Sequence, residues 1–369
     1  MKKKVLLIAT VQSHIGQFHK PLMRLLKENG WEIHVAARDN LAEKNGLQLE
    51  YPDKVFNIPF QRSPFDRRNI EAYKQLKNLI NQGHYEVIHC NTPVGGLLGR
   101  LAAHKHRKTG TKVFYTAHGF HFYKGAPKQN WLIYYPIEKW MARYTDKLIT
   151  ITNEDYQLAQ KKFPCPVYHI HGVGANSHRY FPISENTKQK IKQELGYKGP
   201  IIINVGELLP NKNHESAILA MKNVIQHFPT AKLLIAGNGP ERDNLVALIA
   251  NEGLTENVEL LGYTMELPKY MQISDVEIAC SYREGLPLNI MEAMLCGVPV
   301  VASHNRGHDE LVENGITGYL HQPNDIEGFA DSVCKILRNP EIFRESALTF
   351  VEPFKDVMVQ KELRNIYEL

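Results

Sequence analysis

The chain has 369 residues, 43% of them apolar and 22% charged, and its 44 Lys and Arg against 39 Asp and Glu give a formal net charge of +5. This length predicts two domains, and so mild a positive charge argues against a nucleic-acid partner, whose recognition needs basic residues concentrated on one face. Five separated cysteines without a Cys-x-x-Cys pair indicate reduced thiols. With no export signal or span of roughly 18 apolar residues, we expect a cytoplasmic protein.

Short runs of β-forming residues alternate with helical patterns through the first half of the chain. A helix is predicted over Gly16–Asn29, where Phe18, Leu22 and Leu25 lie on one apolar stripe. Strands that are apolar on both faces and alternate with helices indicate a parallel sheet covered on both sides. The predicted strands of this half are 4–10, 32–38, 87–91, 112–118 and 147–152.

The same alternation begins again after a polar segment at 171–190, whose Gly and Asn content is typical of an interdomain linker. The predicted strands of the second half are 201–208, 231–237, 258–262, 276–280 and 298–303. The predicted fold class is therefore α/β, with two tandem Rossmann-like doubly wound domains facing a cleft. In such sheets ligands bind beyond the carboxyl ends of the strands, so the loops after strands are the candidate sites.

One of these loops leads into residues 284–300, EGLPLNIMEAMLCGVPV, which carry two carboxylates. Pro287 suits the first turn of a helix, and the N-terminus of that helix would attract an anion such as phosphate. The residues that would offer free N–H groups are Leu288, Asn289 and Ile290. Glu284 precedes this end, and Glu292, one turn inside, could accept ribose hydroxyls. Alternatively, each glutamate only complements the helix dipole, since this spacing also arises by chance.

These residues resemble the E-x7-E signature of the retaining glycosyltransferases of family 4, which have the two-domain GT-B fold. The likeness covers nearly the whole chain through VGELLPNKNH, LLIAGNGPERDNL, LLGYTMELPKYMQISDVEIACSYREG, EGLPLNIMEAMLCGVPVVAS and ELVENGITGYL. The segment that begins TAHGFHFYKGAPKQNW is similar to that of bacterial enzymes building capsular or extracellular polysaccharide.

The resemblance implies an enzyme that moves a sugar from a nucleotide-diphosphate sugar, by expectation a UDP-sugar, to a glycan or a polyprenyl-diphosphate-linked acceptor. It implies an acceptor domain at 1–172, joined by a C-terminal helix at about 354–369, and a donor domain at 173–353. Catalysis would be mainly electrostatic, without a metal or other cofactor.

Individual roles follow from the same resemblance. Glu284 would contact the hydroxyls of the donor sugar, Glu292 the ribose and Lys212 the diphosphate, while His118 would face the sugar from the first domain. The implied catalytic residues are His118, Lys212 and Glu284. The other implied donor-binding residues are Gly16, Gly206, Gly237, Gly239, Tyr263, Gly285, Leu286, Pro287, Leu288 and Asn289. Gly16 would belong to the loop after the first strand, and Gly237, Gly239 and Tyr263 would border the base.

Two positions depart from the family pattern. Glu207 follows Gly206 where the family usually has an arginine, and Asn176 stands where an aspartate is common. A carboxylate beside a diphosphate would be repelled, so Glu207 would turn away, pair with Lys212 or face another ligand. Taken without the resemblance, Lys212 could equally be a solvated loop lysine, and glycines after strands serve turns whether or not a ligand binds.

A metal site is a weaker alternative at the loop after the strand 112–118. His118 and His121 form an H-x-x-H pair. The pair lacks the i, i+4 spacing of a helical site and has no third ligand nearby in the sequence. No metal is therefore expected.

The acceptor side is predicted around Ser13, His14 and the loop 118–128. Aromatic residues interleaved with Lys and Arg in 118–144, and the basic run HKHRK at 104–108, suit peripheral contact with the inner face of an anionic cell membrane. The alternative is an ordinary core stripe formed by Trp131, Tyr134, Tyr135, Ile137 and Met141.

Two other functions remain open on the sequence. A nucleotide-sugar epimerase of the same fold would convert a donor without an acceptor. A non-catalytic nucleotide-sugar-binding subunit would support a partner enzyme; Glu207 favours it, whereas Lys212, Glu284 and Glu292 oppose it. The sequence does not identify the donor sugar, the nucleotide base, the acceptor, the linkage or the oligomeric state.

Overall fold

The computed structural model describes residues 2–44 and 47–369. It forms two compact units. Unit 1 comprises Met1–Gly174 together with Val357–Leu369, and unit 2 comprises Ala175–Asp356. The domain limits predicted from the sequence lay after residue 172 and near residue 354.

Unit 1 contains a seven-stranded parallel sheet with strand order β3-β2-β1-β4-β5-β6-β7. The strands are β1 (Lys4–Val11), β2 (Glu32–Arg38), β3 (Lys54–Asn57), β4 (Val87–Asn91), β5 (Lys112–Ala117), β6 (Lys147–Thr150) and β7 (Val167–His169). The helices between them are α1 (Gln12–Phe18), α2 (Lys20–Glu28), α3 (Asn69–Gly83), α4 (Pro93–Ala103), α5 (Lys128–Met141) and α6 (Asn153–Lys162). The order reverses between β1 and β4, as in doubly wound folds.

Unit 2 contains a six-stranded parallel sheet with strand order β10-β9-β8-β11-β12-β13. The strands are β8 (Ile201–Val205), β9 (Lys232–Ala236), β10 (Val258–Gly262), β11 (Val276–Ala279), β12 (Val300–Ser303) and β13 (Gly318–His321). The helices are α7 (Glu185–Glu194), α8 (His214–His227), α9 (Arg242–Asn251), α10 (Leu267–Ile273), α11 (Leu288–Leu295), α12 (Arg306–Leu311), α13 (Ile326–Arg338) and α14 (Pro340–Val351). A last helix, α15 (Asp356–Tyr367), ends the chain.

The predicted α/β class with two doubly wound parallel sheets is confirmed. The central strands β1, β4, β8 and β11 are almost wholly buried, because helices cover both faces of each sheet. Their runs of Val, Ile and Leu form the apolar cores of the two units.

The helix predicted over 16–29 is wrong in one respect, since the structure divides it into α1 and α2 at His19. Pro21 lies in the first turn of α2. Its ring would clash with the carbonyl of Gln17 in a continuous helix, and it has no N–H to donate. The chain therefore begins a new helix there, and α1 follows β1 directly where a loop was predicted.

Candidate active site

The N-terminus of α11 is held in place, and its N-cap residue, Pro287, makes no side-chain capping bond. Pro287 has an extended conformation, and no hydrogen bond from a first-turn N–H group to a side chain occurs within residues 2–44 and 47–369. These groups are therefore available to an anion, which the helix dipole also attracts. The residues that fix the helix in the core of unit 2 are Ile290, Met291, Ala293 and Met294, with Leu286 and Leu288 packed beside them.

Two loops that the sequence analysis singled out meet before this helix. The Asn211 side chain donates to the carbonyl of Arg283 at 2.9 Å, and the Asn211 carbonyl accepts from the N–H of Tyr282 at 2.9 Å. The ammonium of Lys212 donates to Oε1 of Glu284 at 2.6 Å, with the side chains 23% and 14% exposed. Lys212 is thus in contact with Glu284, which lies three residues before Pro287 in the sequence.

Buried polar side chains hold the loop that carries Lys212. Asn213 adopts a left-handed conformation, with φ of 52°, and its amide donates to the carbonyl of Cys280 at 3.2 Å. The imidazole of His214 contacts the Asn204 side chain, and its Nε2 lies 3.1 Å from the Glu207 carbonyl oxygen. These contacts tie the ends of β8 and β11 to one loop, so the position of Lys212 is set by the sheet.

Three predicted glycines have packing reasons for being glycine. A Cβ at Gly237 would clash with the carbonyl oxygen of Gly206, and one at Gly239 would clash with the carbonyl oxygen of Leu208. A Cβ at Gly206 would lie 3.3 Å from Cδ of Lys212, whose side chain passes over it. The loops after β8 and β9 can approach each other this closely only without side chains.

Tyr263 and Gly285 also lie on loops that their neighbours position. The backbone N–H of Tyr263 donates to the Asn238 side chain at 3.1 Å, which places this 50%-exposed tyrosine beside the loop after β9. A Cβ at Gly307 would lie 2.5 Å from the Gly285 carbonyl oxygen. Gly307 belongs to α12, whose first N–H groups are capped by Asn305.

Glu292 shares the α11 region with a second carboxyl that the sequence analysis did not identify. Burial, helped by the neighbouring Glu277, raises the pKa of Glu292 to about 8, although Arg179 and a hydrogen bond from Tyr180 oppose the shift. Burial also raises the pKa of Glu277, in β11, to about 8. Oε1 of Glu277 accepts from the Asn289 side chain at 2.6 Å, and its Oε2 is buried without a hydrogen-bond partner. In the sequence, Glu277 could have been noticed as an acidic residue inside the apolar run VEIAC.

The two departures from the family pattern are both visible. The side chain of Glu207 is exposed, while the ammonium of Lys212 bonds to Glu284. The Asn176 side chain accepts from the backbone N–H groups of His178 at 3.1 Å and Arg179 at 3.2 Å, so it caps a turn.

In unit 1, His118 follows β5 and lies against two other histidines. Its ring centroid is 4.4 Å from that of His14 and 5.2 Å from that of His19. Burial lowers the pKa of His14 to about 4 and holds those of His19 and His118 well below the usual range. Folding brings His14 and His19, which are distant from His118 in the sequence, within reach of its imidazole. His121 instead stacks on Tyr134.

Gly16 and Ser13 both lie in α1, not in a loop. A Cβ at Gly16 would lie 3.2 Å from Leu49 and 3.3 Å from Leu47, so this glycine allows leucine side chains to pack on the helix. The hydroxyl of Ser13 accepts from the Asn40 side chain at 2.9 Å and is buried. The placement of Gly16 in a loop is therefore corrected.

The two interpretations of 118–144 apply to different faces of α5. Trp131, Tyr134 and Tyr135 pack against the core of unit 1. Met141 is buried, and Ile137 is only half-buried. The opposite face exposes three large apolar side chains, which are Leu132 (76%), Ile133 (41%) and Trp140 (46%).

A cavity of about 490 Å³ in unit 2 lies between α8 and α9, behind the loop of Lys212. Of the residues that the structure describes, its lining contains the acids Glu215 and Glu241 and no lysine or arginine. A diphosphate would meet unfavourable charge there, so this cavity is not the candidate donor site.

Comparison with known proteins adds two family models and several relatives. The model "Glycosyl transferase 4-like" matches residues 4–153, and "Glycosyl transferases group 1" matches residues 185–349. EpsD of Bacillus subtilis (strain 168), named as a glycosyltransferase, is 39% identical over 100% of this chain and 97% of its own length. The UDP-Gal:alpha-D-GlcNAc-diphosphoundecaprenol alpha-1,3-galactosyltransferase of Escherichia coli is 30% identical over 80% of this chain and 79% of its own.

Solved structures match at lower identity. HepE of Anabaena, in complex with UDP and glucose, superposes with a TM-score of 0.75 at 20% identity and covers 99% of both chains. Sucrose-phosphate synthase from Thermosynechococcus elongatus gives a TM-score of 0.78 at 19% identity over 100% of this chain and 98% of its own. At these identities the likeness concerns the fold.

Proposed function

Because this chain belongs to the family 4 glycosyltransferases of GT-B fold, we propose that it transfers a sugar from a UDP-sugar, with retention at the anomeric carbon, to a glycan or polyprenyl-diphosphate-linked acceptor. The proposed setting is surface or extracellular polysaccharide synthesis. The printed name of the Escherichia coli relative specifies a UDP-sugar donor and a diphosphoundecaprenol-linked acceptor, which supports both halves of the proposal.

The observation that carries the proposal is the arrangement of Lys212, Glu284 and the N-terminus of α11. Lys212 contacts Glu284 at 2.6 Å, and the α11 N–H groups have no capping side chain. A cation and uncapped amides on connected loops suit a diphosphate. A carboxylate beside them suits the hydroxyls of the attached sugar. We expect the Lys212 ammonium to bind the diphosphate when the donor arrives, with Glu284 turning to the sugar.

In the proposed reaction the bond between the anomeric carbon and the β-phosphate oxygen breaks, and the acceptor oxygen bonds to that carbon on the same face. The proton of the acceptor hydroxyl passes to the departing phosphate oxygen. Lys212 and the α11 amides would stabilise the charge that develops on the diphosphate. This scheme needs no metal and no pair of hydrolase-type carboxylates.

The remaining assignments are part of the same proposal. Glu292 would bind the ribose hydroxyls, and its raised pKa of about 8 allows the protonated carboxyl to donate as well as accept. The loop of Gly237 and Gly239, with Tyr263, would border the base. His118 is assigned to the donor sugar, and Gly16 stays a prediction.

The decisive experiment compares Lys212→Ala with Lys222→Ala, an exposed lysine of α8 that pairs with Glu252. Loss of a charge-assisted hydrogen bond of about 1.5–3 kcal/mol lowers kcat/KM by about ten- to a hundredfold for Lys212→Ala. Lys222→Ala should behave as wild type. The assay measures UDP release with a lipid-linked acceptor, after a thermal-shift panel of UDP-sugars has selected the donor. Equal kcat/KM for both variants would contradict the assignment.

The same assay separates the competing functions. Incubation with UDP-N-acetylglucosamine alone should yield no isomer, whereas an epimerase would produce one without acceptor. A non-catalytic subunit would show a thermal shift with UDP-sugars but no acceptor-dependent UDP release.

A peripheral position at the cytoplasmic face of the cell membrane belongs to this proposal. Leu132, Ile133 and Trp140 form an exposed apolar face on α5, and Lys139 and Arg143 beside it are exposed as well. Such a face suits an anionic bilayer that carries a polyprenyl acceptor. None of the helices in the described part of the chain combines the length and apolar content that crossing a membrane requires.

A further inference from the structure

Three histidines from separate parts of unit 1 converge at one point. His14 lies in α1, His19 at the break between α1 and α2, and His118 immediately after β5. One imidazole nitrogen of each lies within 4.8 Å of the others. At the break His19 has a non-helical backbone, with φ of −117° and ψ of 12°, and its ring centroid lies 5.2 Å from that of His118.

Two of these imidazoles have nitrogens that the protein leaves unsatisfied. Nε2 of His14 and Nε2 of His19 are buried and have no hydrogen-bond partner among the residues that the structure describes. A buried polar atom without a partner costs about 1–3 kcal/mol, so two within one cluster call for a ligand that would satisfy both. Nε2 of His118 lies 3.4 Å from Oδ1 of Asn91, which is long for a hydrogen bond and leaves this ring weakly held.

The neighbouring histidine, His89, cannot join as a ligand because both of its nitrogens are engaged. Its Nδ1 lies 2.6 Å from the hydroxyl of Tyr367 and its Nε2 lies 2.7 Å from the hydroxyl of Thr116. His89 and Thr116 instead line a cavity of about 20 Å³ together with His19 and His118. That volume has room for about one water molecule. A fourth, non-protein ligand can therefore lie beside the imidazoles of His19 and His118, and the ring of His14 adjoins both of these rings.

We propose that His14, His19 and His118 bind one divalent transition-metal ion of the zinc class, with water as the fourth ligand. Three imidazoles and an open position are a recurrent zinc arrangement. The cluster of ligand atoms contains no carboxylate, which disfavours Mg²⁺ and Ca²⁺. Nitrogens bound tetrahedrally at about 2.0–2.1 Å lie roughly 3.4 Å apart, so small side-chain rotations close the site on the ion.

Occupation of this site has a consequence that rests on the function proposed above. His118 is assigned there to the donor sugar, and its imidazole cannot serve a metal ion and the sugar in the same way. Zinc should therefore inhibit transfer and not activate it. The site would make the enzyme sensitive to free zinc although the reaction itself needs no metal.

The test uses tag-free, full-length protein stripped with a chelator and titrated with Zn²⁺ against a chromophoric zinc indicator. Wild type should bind one ion per chain. Loss of a residue that only hydrogen-bonds to a metal ligand costs roughly 10- to 100-fold in metal affinity. His14→Gln and His19→Gln each remove a ligand itself, so each should weaken zinc binding by at least this factor. The control is His227→Gln, an exposed histidine at the end of α8 in unit 2, which should bind as wild type does.

Cobalt substitution gives a second readout that does not involve activity. Co²⁺ in wild type should show the visible absorption of tetrahedral coordination, and His19→Gln should lose it while its circular dichroism stays native. Equal zinc affinity in wild type and His19→Gln, or no binding to wild type, would overturn the metal site and leave the proposed function untouched. Tight binding at the site without inhibition would uphold the metal site and remove His118 from donor binding.

Discussion

At the scale of single residues, the most unusual group is the carboxyl of Glu277. It is fully buried in β11, it accepts from Asn289 at the start of α11, and it lies near Glu292. Burial raises its pKa to about 8 from 4.5, although Asn289 and Lys212 oppose the shift. At a pH between 4.5 and about 8, the folded protein holds a proton on Glu277 that the unfolded chain has lost.

We predict that Glu277→Gln reduces the pH dependence of stability. Because the folded state holds the extra proton, wild-type stability is fully present below about pH 4.5 and falls as the pH rises toward 8. The fall is about 1.4 kcal/mol for each pH unit over which one proton differs. Glutamine keeps the shape and the bond from Asn289 but cannot ionise. Urea unfolding at pH 5.5 and at pH 8 should therefore show a smaller loss for the variant.

The matched control is Glu256→Gln, an exposed glutamate after α9 in the same unit. Its two unfolding midpoints should differ as much as those of wild type. If Glu277→Gln also behaved as wild type at both pH values, the carboxyl of Glu277 would be ionised in the folded protein and the interpretation would be wrong.

How far the sequence could predict these residues depends on where each one's partners come from. Glu284 was identified because its loop follows a strand and begins the E-x7-E spacing, and Lys212 was identified through the family resemblance of its loop. Glu277 and His19 were not, because their roles depend on neighbours distant in the chain. His19 meets His118 only after the helical segment has broken at His19 and the strands β1 and β5 have both paired with β4.

At the scale of secondary-structure elements, the sequence predicted the buried strands and missed the marginal ones. The strands β2, β4 and β10 have the predicted limits. The missed strands are β3, β7 and β13, each at the edge of its sheet and three or four residues long. These three strands have one pairing partner each and partly solvated side chains, so they lack the apolar run that marks a central strand. The strand β10 also lies at an edge, but it is five residues long and its sequence VELLG keeps three apolar residues.

The element with the most direct functional prediction is α5. Replacing Leu132 and Trp140 together by serine should weaken association with vesicles of phosphatidylglycerol and phosphatidylcholine. Fully burying one such side chain is worth about 1.5–3 kcal/mol, so partial insertion of two corresponds to at least roughly tenfold in partitioning. Both side chains are exposed, which means that folding should be little affected. Co-sedimentation at moderate salt measures the effect.

The control for the α5 variant is Ile342→Ser. Ile342 is also exposed (68%), but it lies on α14 in unit 2. It should leave vesicle association unchanged. Wild type that does not sediment with these vesicles at moderate salt would remove the membrane interpretation, and the apolar face of α5 would then need another partner.

At the scale of the whole molecule, the chain order and the compact units do not coincide. The chain leaves unit 2 at Asp356, and Val357–Leu369 completes unit 1. In α15, Glu362 accepts from the imidazole of His171 at 2.6 Å, and the hydroxyl of Tyr367 lies 2.6 Å from His89. The buried apolar side chains of α15 are Val359, Leu363, Ile366 and Tyr367. Unit 1 therefore depends on a segment that follows unit 2 in the chain.

We predict that Leu363→Ala destabilises unit 1 selectively. Removing a side chain that is 5% exposed should cost about 2–5 kcal/mol of unfolding free energy. All three tryptophans, at 31, 131 and 140, lie in unit 1, so tryptophan fluorescence during urea unfolding reports on that unit. UDP affinity, measured by calorimetry and assigned here to unit 2, should stay as in wild type. Val357→Ala, at a 37%-exposed position of α15, should shift the fluorescence midpoint far less. An unmoved midpoint in Leu363→Ala, or a parallel loss of UDP binding, would mean that α15 does not stabilise unit 1 independently.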